Sequence, residues 1–231
     1  QLVLTEGGSS GSFTVRLACA PASQVSVNLS SSDVGAATVS PPSLAFGPGD
    51  YDQAQTVTVS PVDDNDLVGE AVTMTASHVW NSQAISETVL VTIIDDESAQ
   101  IQFVAPGALT PESVPTEIVS LELVAAPGVT VGPGVSVSAS VTDAGTGSAT
   151  AGSDYTPFGV QSVVFGPGSV SGAVQTVTLG VLDDLLLEGN ETVDLALTGT
   201  SGPGVTLGTQ LNHQVTIIDD ESAQIQFVAP G

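Results

Sequence analysis

Residues 91–107 read VTIIDDESAQIQFVAPG, and residues 215–231 repeat the same seventeen letters 124 positions later. An internal repeat constrains the fold before any local motif does, because a repeated stretch marks a repeated folding unit. Weaker echoes lie between the copies: LAFGPG at 44–49 against VVFGPG at 163–168, QTVTV at 55–59 against QTVTL at 175–179, and Asp63-Asp64 against Asp183-Asp184. The 231 residues therefore read as two copies of one unit, 1–97 and 98–221. The remainder, 222–231, matches the opening of the second unit and reads as the first strand of a following repeat or a terminal stub. The pattern implies a tandem array as the parent organisation.

Each unit consists of short alternating or β-branched runs cut by Gly, Pro, Ser and Asp, and nowhere does a helical period persist. That is the pattern of an all-β protein. Seven strands are expected in the first unit, at 2–4, 13–19, 25–29, 44–46, 55–60, 71–76 and 88–94. Seven more are expected in the second, at 101–104, 118–124, 135–141, 163–165, 175–182, 192–198 and 214–218. The expected fold is two tandem seven-stranded immunoglobulin-like sandwiches. At 41% hydrophobic residues the chain has the apolar material for packed cores, which sets acidic disorder aside. The single cysteine, Cys19, has no intrachain partner, and its place in the alternation of Phe13, Val15 and Leu17 predicts a buried thiol.

One base, Arg16, stands against 25 acids, for a net charge of −24. That balance excludes nucleic acid as a partner and basic docking on anionic lipid, and no apolar run is long enough for membrane insertion. If the strands alternate in direction, the segments after strands one, three, five and seven share one pole. In the second unit this pole collects Glu112, Asp143, Asp154, Asp183, Asp184, Glu188, Glu191, Asp219, Asp220 and Glu221, whereas segments 125–134, 166–174 and 199–213 at the other pole hold no acid. In the first unit it collects Glu6, Asp33, Asp63, Asp64, Asp66, Asp95, Asp96 and Glu97, with Asp50, Asp52 and Glu87 on the opposite side.

Like charges about 4 Å apart repel by roughly 4 kcal/mol at an effective dielectric near 20. The second unit has no Lys or Arg to relieve them. Proton uptake would require several carboxylates to titrate near neutral pH. A divalent cation is the third remedy, and ligation by carboxylate and carbonyl oxygens on loops suits calcium, Ca2+, better than water-rich magnesium. Zinc would want His or Cys, and only His78, His213 and Cys19 exist, scattered along the chain. The plain alternative is that these acids are turn residues, or the solvated surface of a salt-adapted protein.

The stretch Ala151-Gly152-Ser153-Asp154-Tyr155, the VVFGPG segment, the Asp183-Asp184…Glu188…Glu191 run and the closing Asp219-Asp220-Glu221 resemble the Calx-beta family. That family is the calcium-binding sandwich repeated in sodium–calcium exchangers and in many bacterial surface proteins. The resemblance covers the second unit and implies that the matching positions ligate calcium, with Glu112 matching the acid after the first strand. The first unit resembles a divergent bacterial relative. It lacks the AGxDY stretch, and Val68 and Ala71 stand where Glu188 and Glu191 stand, leaving Asp66 and Glu70 as substitutes.

Only Ser98, Ala99 and Gln100 separate Glu97 from the strand expected at Ile101, so metal ligands and inter-unit joint occupy one stretch of chain. The expected function is a calcium-stiffened extender repeat of a secreted or surface-anchored adhesin or extracellular filament, placed at a bacterial cell surface. Its partners would be neighbouring repeats of the same protein, with lateral self-association besides; no motif identifies an adhesive target. A regulatory calcium-sensing module and a self-assembling sheath or fibre subunit are the alternatives. Enzyme chemistry is not expected: aromatics are 4% of the chain, too few for sugar platforms, and there is no Gly-x-Ser-x-Gly elbow or lysine nucleophile. His78 and His213 read as loop or strand-end residues, and Trp80 as packing on its own hairpin.

Overall fold

Alternating burial along short strands organises the structure, a computed structural model that describes residues 1–227. The chain divides into two compact units between Glu97 and Ser98. Among the described residues all named elements are strands, and no helix is long and apolar enough to cross a membrane.

The first unit contains β1 (Leu2–Thr5), β2 (Gly11–Val15), β3 (Val25–Ser31), β4 (Ala37–Ser40), β5 (Ser43–Phe46), β6 (Gln55–Pro61), β7 (Ala71–Trp80) and β8 (Gln83–Ile94). They form a five-stranded sheet in the order β1-β8-β7-β3-β5 and a three-stranded sheet in the order β2-β6-β4. Every second residue of β6, and of β8 from Val89 onward, turns inward, so Val57, Val59, Val91 and Ile93 meet Phe46, Val72 and Met74 in two apolar clusters. Neighbouring strands are antiparallel except β1, which runs parallel to β8 with Thr5 opposite Ile94.

The second unit contains β9 (Ala99–Phe103), β10 (Gly107–Pro111), β11 (Thr116–Ala125), β12 (Val137–Asp143), β13 (Gln161–Phe165), β14 (Val174–Gly180), β15 (Glu191–Ser201), β16 (Val205–Leu207) and β17 (Asn212–Ile218). Its sheets run β10-β17-β15-β12-β13 and β14-β11-β9-β16. Phe103, Phe165, Leu121, Leu179 and Leu195 are almost fully enclosed. The opening segment changes sheet: β9 pairs antiparallel with β11, and after a break at 104–106 β10 pairs parallel with β17.

The sandwiches are as expected, but eight and nine strands replace seven and seven. The strand at 107–111 is an addition, because Gly107 and Pro111 read as turn residues. β10 is a sheet edge, and proline at the last position of an edge strand removes no ladder hydrogen bond. The short β4 and β16 were masked by their Ser- and Gly-rich surroundings. The first strand of the first unit is the counterpart of β10, since Glu6 N–H donates to Ile94 O (3.0 Å) as Glu112 N–H donates to Ile218 O (3.1 Å). β7 and β8 run on to a two-residue turn at Asn81-Ser82 with φ of 48° and 63°, the left-handed pair of a type I′ hairpin.

Cys19 is exposed rather than buried. β2 ends at Val15, so the alternation that would have carried the thiol inward stops four residues short of it. His78 lies within β7 and its Nδ1 faces Ser26 O at 2.8 Å; Trp80 ends the same strand, half exposed, with its ring 6.4 Å from that of His78. His213 is buried in β17 beside Phe103, with Nδ1 2.8 Å from Ala105 O. Of the remainder at 222–231, residues 222–227 form no strand, and 228–231 lie outside the described residues.

Candidate metal centre

The parallel pairing of β10 with β17 brings the residue after β10 and the residues after β17 to one end of the sheet. Pro111 stands opposite Ile218, so Glu112 and Asp219-Asp220-Glu221 leave their strands together. β15 is antiparallel to β17 with Glu191 opposite Ile217, so β15 begins where β17 finishes. One carboxylate oxygen from each of Glu112, Asp183, Asp220 and Glu221 falls within 4.8 Å of the others. Glu112 is only 8% exposed and its Oε1 has no hydrogen-bond partner; Glu221 Oε2 and Asp219 Oδ1 are likewise buried and unpartnered.

A second grouping in this unit joins Asp154, Glu188 and Glu191 by the same distance criterion. Its scaffold is the turn at 150–155. Gly152, at φ 92°, donates its N–H to Tyr155 O, and Thr150 N–H donates to Asp154 Oδ2 at 2.5 Å. Tyr155 is buried and its hydroxyl donates to Asp143 Oδ2 at 2.5 Å, which anchors the turn to the end of β12. Leu182 N–H donates to Asp154 O, tying the start of the 183–190 segment to that same turn. Asp143 thus serves the scaffold. Removing the anchor with Tyr155→Phe leaves a charge-assisted bond unmade and is expected to cost about 2 kcal/mol in urea unfolding, with weaker cation affinity at Asp154.

In the first unit Glu6 is the pivot. It is 2% exposed, both its carboxylate oxygens lack partners, and it takes part in three groupings: with Asp95 and Glu97, with Asp64 and Glu70, and with Asp63 and Asp96. Thr5 lies opposite Ile94, and Glu70 exchanges both backbone hydrogen bonds with Ile93, so Glu6, Glu70 and Asp95 converge on the end of β8. Gly7, at φ 56°, turns the chain away directly after Glu6; a Cβ there would stand 3.0 Å from Asp63 Oδ1.

Burial pushes the Glu6 carboxyl up to about 8, and Glu70 and Asp64 add to the rise. Burial raises Asp95 to about 7 with Glu97 beside it, and Glu112 to about 7 with Glu221, Asp219 and Asp220 around it. Glu191 rises to about 7 chiefly through its hydrogen bond with Asp154. Burial also raises Glu70, Asp66 and Glu188 above the usual carboxylate range. Each pole is thus a set of oxygens held together at the expense of ionisation, with no base in the second unit to relieve it. Oxygen donors alone, several buried and unpartnered, fit a hard divalent cation.

Of the seventeen acids expected to ligate, the groupings bring together Glu112, Asp183, Asp220, Glu221, Asp154, Glu188 and Glu191 in the second unit, and Glu6, Asp63, Asp64, Asp95, Asp96 and Glu97 in the first. Asp184, Asp219, Asp33 and Asp66 stand outside them. Asp184 Oδ1 accepts Leu186 N–H (2.6 Å), Asp66 Oδ1 accepts Val68 N–H (2.7 Å) and Asp33 Oδ1 accepts Gly35 N–H (2.8 Å), each closing a local turn. Asp219 Oδ2 accepts Glu188 N–H at 3.2 Å and so bridges the two groupings of its unit. Glu70, read from sequence only as a substitute, is a full member beside Glu6 and Asp64.

Among solved structures the chain is similar to the apo-form Calx CBD1 domain, at 23% identity over 54% of this chain and 100% of that one, with a TM-score of 0.43. It is also similar to the calcium binding domain CBD12 of CALX1.1, at 15% identity over 93% of this chain and 96% of that one, with a TM-score of 0.40. A chaperone, CupB2 of Pseudomonas aeruginosa, aligns at 10% identity over 89% of this chain and 97% of that one, with a TM-score of 0.33. No curated protein sequence matches the chain. Residues 95–221, which hold the whole of the second unit's acid pole, match the Calx-beta domain. That match spans more than half of the 231 residues, and the chain accordingly belongs to the Calx-beta family.

Proposed function

We propose that this protein is a calcium-stiffened extender repeat of an adhesin or extracellular filament, secreted or surface-anchored in a bacterium. The observation that carries the reading is the pair of buried, unpartnered carboxylates, Glu6 and Glu112, each at the head of an acid pole formed where a unit's last strand ends. A buried unpaired carboxylate is costly, and a calcium ion sharing it with Asp183, Asp220 and Glu221 satisfies all four at once. Asp95-Asp96-Glu97 directly precede Ser98, and Asp219-Asp220-Glu221 directly precede Ser222, so the stretch that would hold the ion is the stretch that leads out of each unit. Calcium then fixes the loops, the last strand and the exit segment together. Without it, mutual repulsion loosens them.

Calorimetric titration with calcium, paired with small-angle scattering in calcium and in chelator, tests the reading. Binding in the range of about 10⁻⁴–10⁻³ M, as in extracellular modules, is expected, together with a loss of stiffness on chelation. A scattering curve indifferent to calcium would refute the stiffening role. Cooperative binding in the micromolar range would favour a sensor instead.

A further inference from the structure

We propose that Ser148 is a positioning residue for the Asp154, Glu188 and Glu191 grouping of the second unit, clamping the head of β15 so that Glu191 faces Asp154; the assignment rests on the calcium reading of that pole. β15 outruns one of its neighbours. β12 pairs with it only as far as Asp143 opposite Leu195, whereas β17 covers the other edge down to Glu191. On the side away from β17, the backbone of residues 191–194 therefore has no strand beside it, and N–H and C=O groups inside a fold need partners.

A strap at 144–150 supplies them. Ala144 N–H donates to Asp194 O (2.8 Å), and Ala149 N–H donates to Thr192 O (3.0 Å). Between these two bonds Ser148 and Thr192 hold each other twice. Thr192 N–H donates to Ser148 Oγ (2.9 Å), and Ser148 N–H donates to Thr192 Oγ1 (3.1 Å). Thr146 Oγ1 adds a bond to Asp194 Oδ2 (2.7 Å). The approach is so close that residue 147 has to be glycine, because a Cβ there would collide with Thr192 O.

The strap runs without a break into the turn that carries Asp154. Thr150 follows Ala149, and its N–H donates to Asp154 Oδ2 at 2.5 Å. On the facing side Glu191 immediately precedes Thr192. Two members of the grouping thus hang from one clamp, and the spacing that brings their oxygens within 4.8 Å of each other depends on it. The first unit has a serine clamp of the same kind, Thr73 N–H to Ser32 Oγ at 2.9 Å, but Thr73 lies three residues past Glu70, whereas Thr192 is next to Glu191. Residues 32–36 are the whole connection from β3 to β4 there, and Asp33 on it stands outside the groupings. The longer strap and the acid it delivers come together.

Hydrogen–deuterium exchange of the full chain along a calcium titration reads each grouping through its own peptides. Those over 150–156 and 186–192 give the midpoint at Asp154 and Glu191, and those over 107–114 give the midpoint at Glu112. Ser148 is exposed, so Ser148→Ala removes a hydroxyl without opening a cavity. It is expected to raise the first midpoint about tenfold, the effect of one unmade hydrogen bond, and to leave the second in place. Ser148→Thr keeps the hydroxyl and is expected to restore the wild-type midpoint. Thr146→Val takes a bond from the same strap but not from Thr192, and both midpoints are expected to stay. A Ser148→Ala midpoint equal to the wild type, a failed rescue by Ser148→Thr, or an equal shift at 107–114 or in Thr146→Val would each overturn the assignment while leaving calcium binding intact. A wild type whose exchange ignores calcium in every peptide overturns the calcium reading, and this assignment with it.

Discussion

Glu112→Gln is expected to melt above the wild type in chelator and below it in calcium. Glu112 is 8% exposed, its Oε1 is unpartnered, and it faces Asp183, Asp220 and Glu221 with no base nearby. In chelator the neutral amide removes one member of a repelling group, and the second unit gains stability. In calcium the same change deletes a charged ligand from the centre of the site. A ligand at a hundredfold excess over its Kd stabilises the folded state by about 2.7 kcal/mol. In a unit of this size that corresponds to a rise in Tm of about 10 °C, most of which the variant forfeits. Glu6→Gln is expected to do the same to the first unit, where Glu6 enters three groupings and no second residue takes its place. Differential scanning calorimetry of the three proteins, with calcium and with chelator, separates the two units. A wild type whose melting ignores calcium sinks the prediction, and so does an E112Q variant whose response to calcium equals that of the wild type.

The acid pole was legible in the sequence because two features coincide. Strand alternation sorts the loops by pole, and the second unit has ten acids on one side of that sorting and none on the other. The parallel β10–β17 pair, which the alternation rule omits, leaves the sorting intact because β10 ends beside the end of β17. What the letters do not carry is the difference between an aspartate that faces the cluster and one that closes a turn. Asp183 and Asp184 are neighbours in sequence, yet Asp183 joins Glu112 while the Asp184 carboxylate is taken by the Leu186 amide. Local chemistry favours both outcomes, and only the path of the loop decides. Glu70 shows the converse: its place beside Glu6 depends on a backbone pair with Ile93, a contact far away in sequence with no local signature.

Cys19 and Phe13 mark where alternation itself misleads. Alternation assumes a strand paired on both edges, and among the described residues β2 pairs on one edge only, with β6. The strand stops at Val15, and the residues that continue the pattern, Leu17 and Cys19, line an open cleft. In the second unit the same positions are sealed by β9, which is why Leu121 and Leu123 behave as the pattern demands.

Stability of the chelated protein is expected to fall as pH rises, and calcium affinity to rise over the same interval. Glu6 is raised to about 8 from an ordinary 4.5, Glu112 and Glu191 to about 7 from 4.5, and Asp95 to about 7 from 3.8. Between the ordinary and the raised values the folded state holds protons that the unfolded chain has released, so the unfolding free energy decreases with pH. The contribution is fully present below the ordinary carboxylate values, erodes as pH climbs, and is gone above the Glu6 value of about 8. Each such proton changes stability by about 1.4 kcal/mol per pH unit while it is held in one state only. Calcium ligation demands the ionised carboxylates, so binding at pH 7 expels those protons, and affinity gains about tenfold per pH unit for each proton expelled before levelling off. Thermal melts across this pH range are expected to fall with pH in chelator and to stay level in saturating calcium, where the gain in affinity offsets the loss. Calorimetric titration in two buffers of different ionisation enthalpy counts the protons released. A flat chelator series, or binding heats that do not depend on the buffer, would show that these carboxylates are already ionised and that the crowding at Glu6 and Glu112 is relieved by something other than a shared proton.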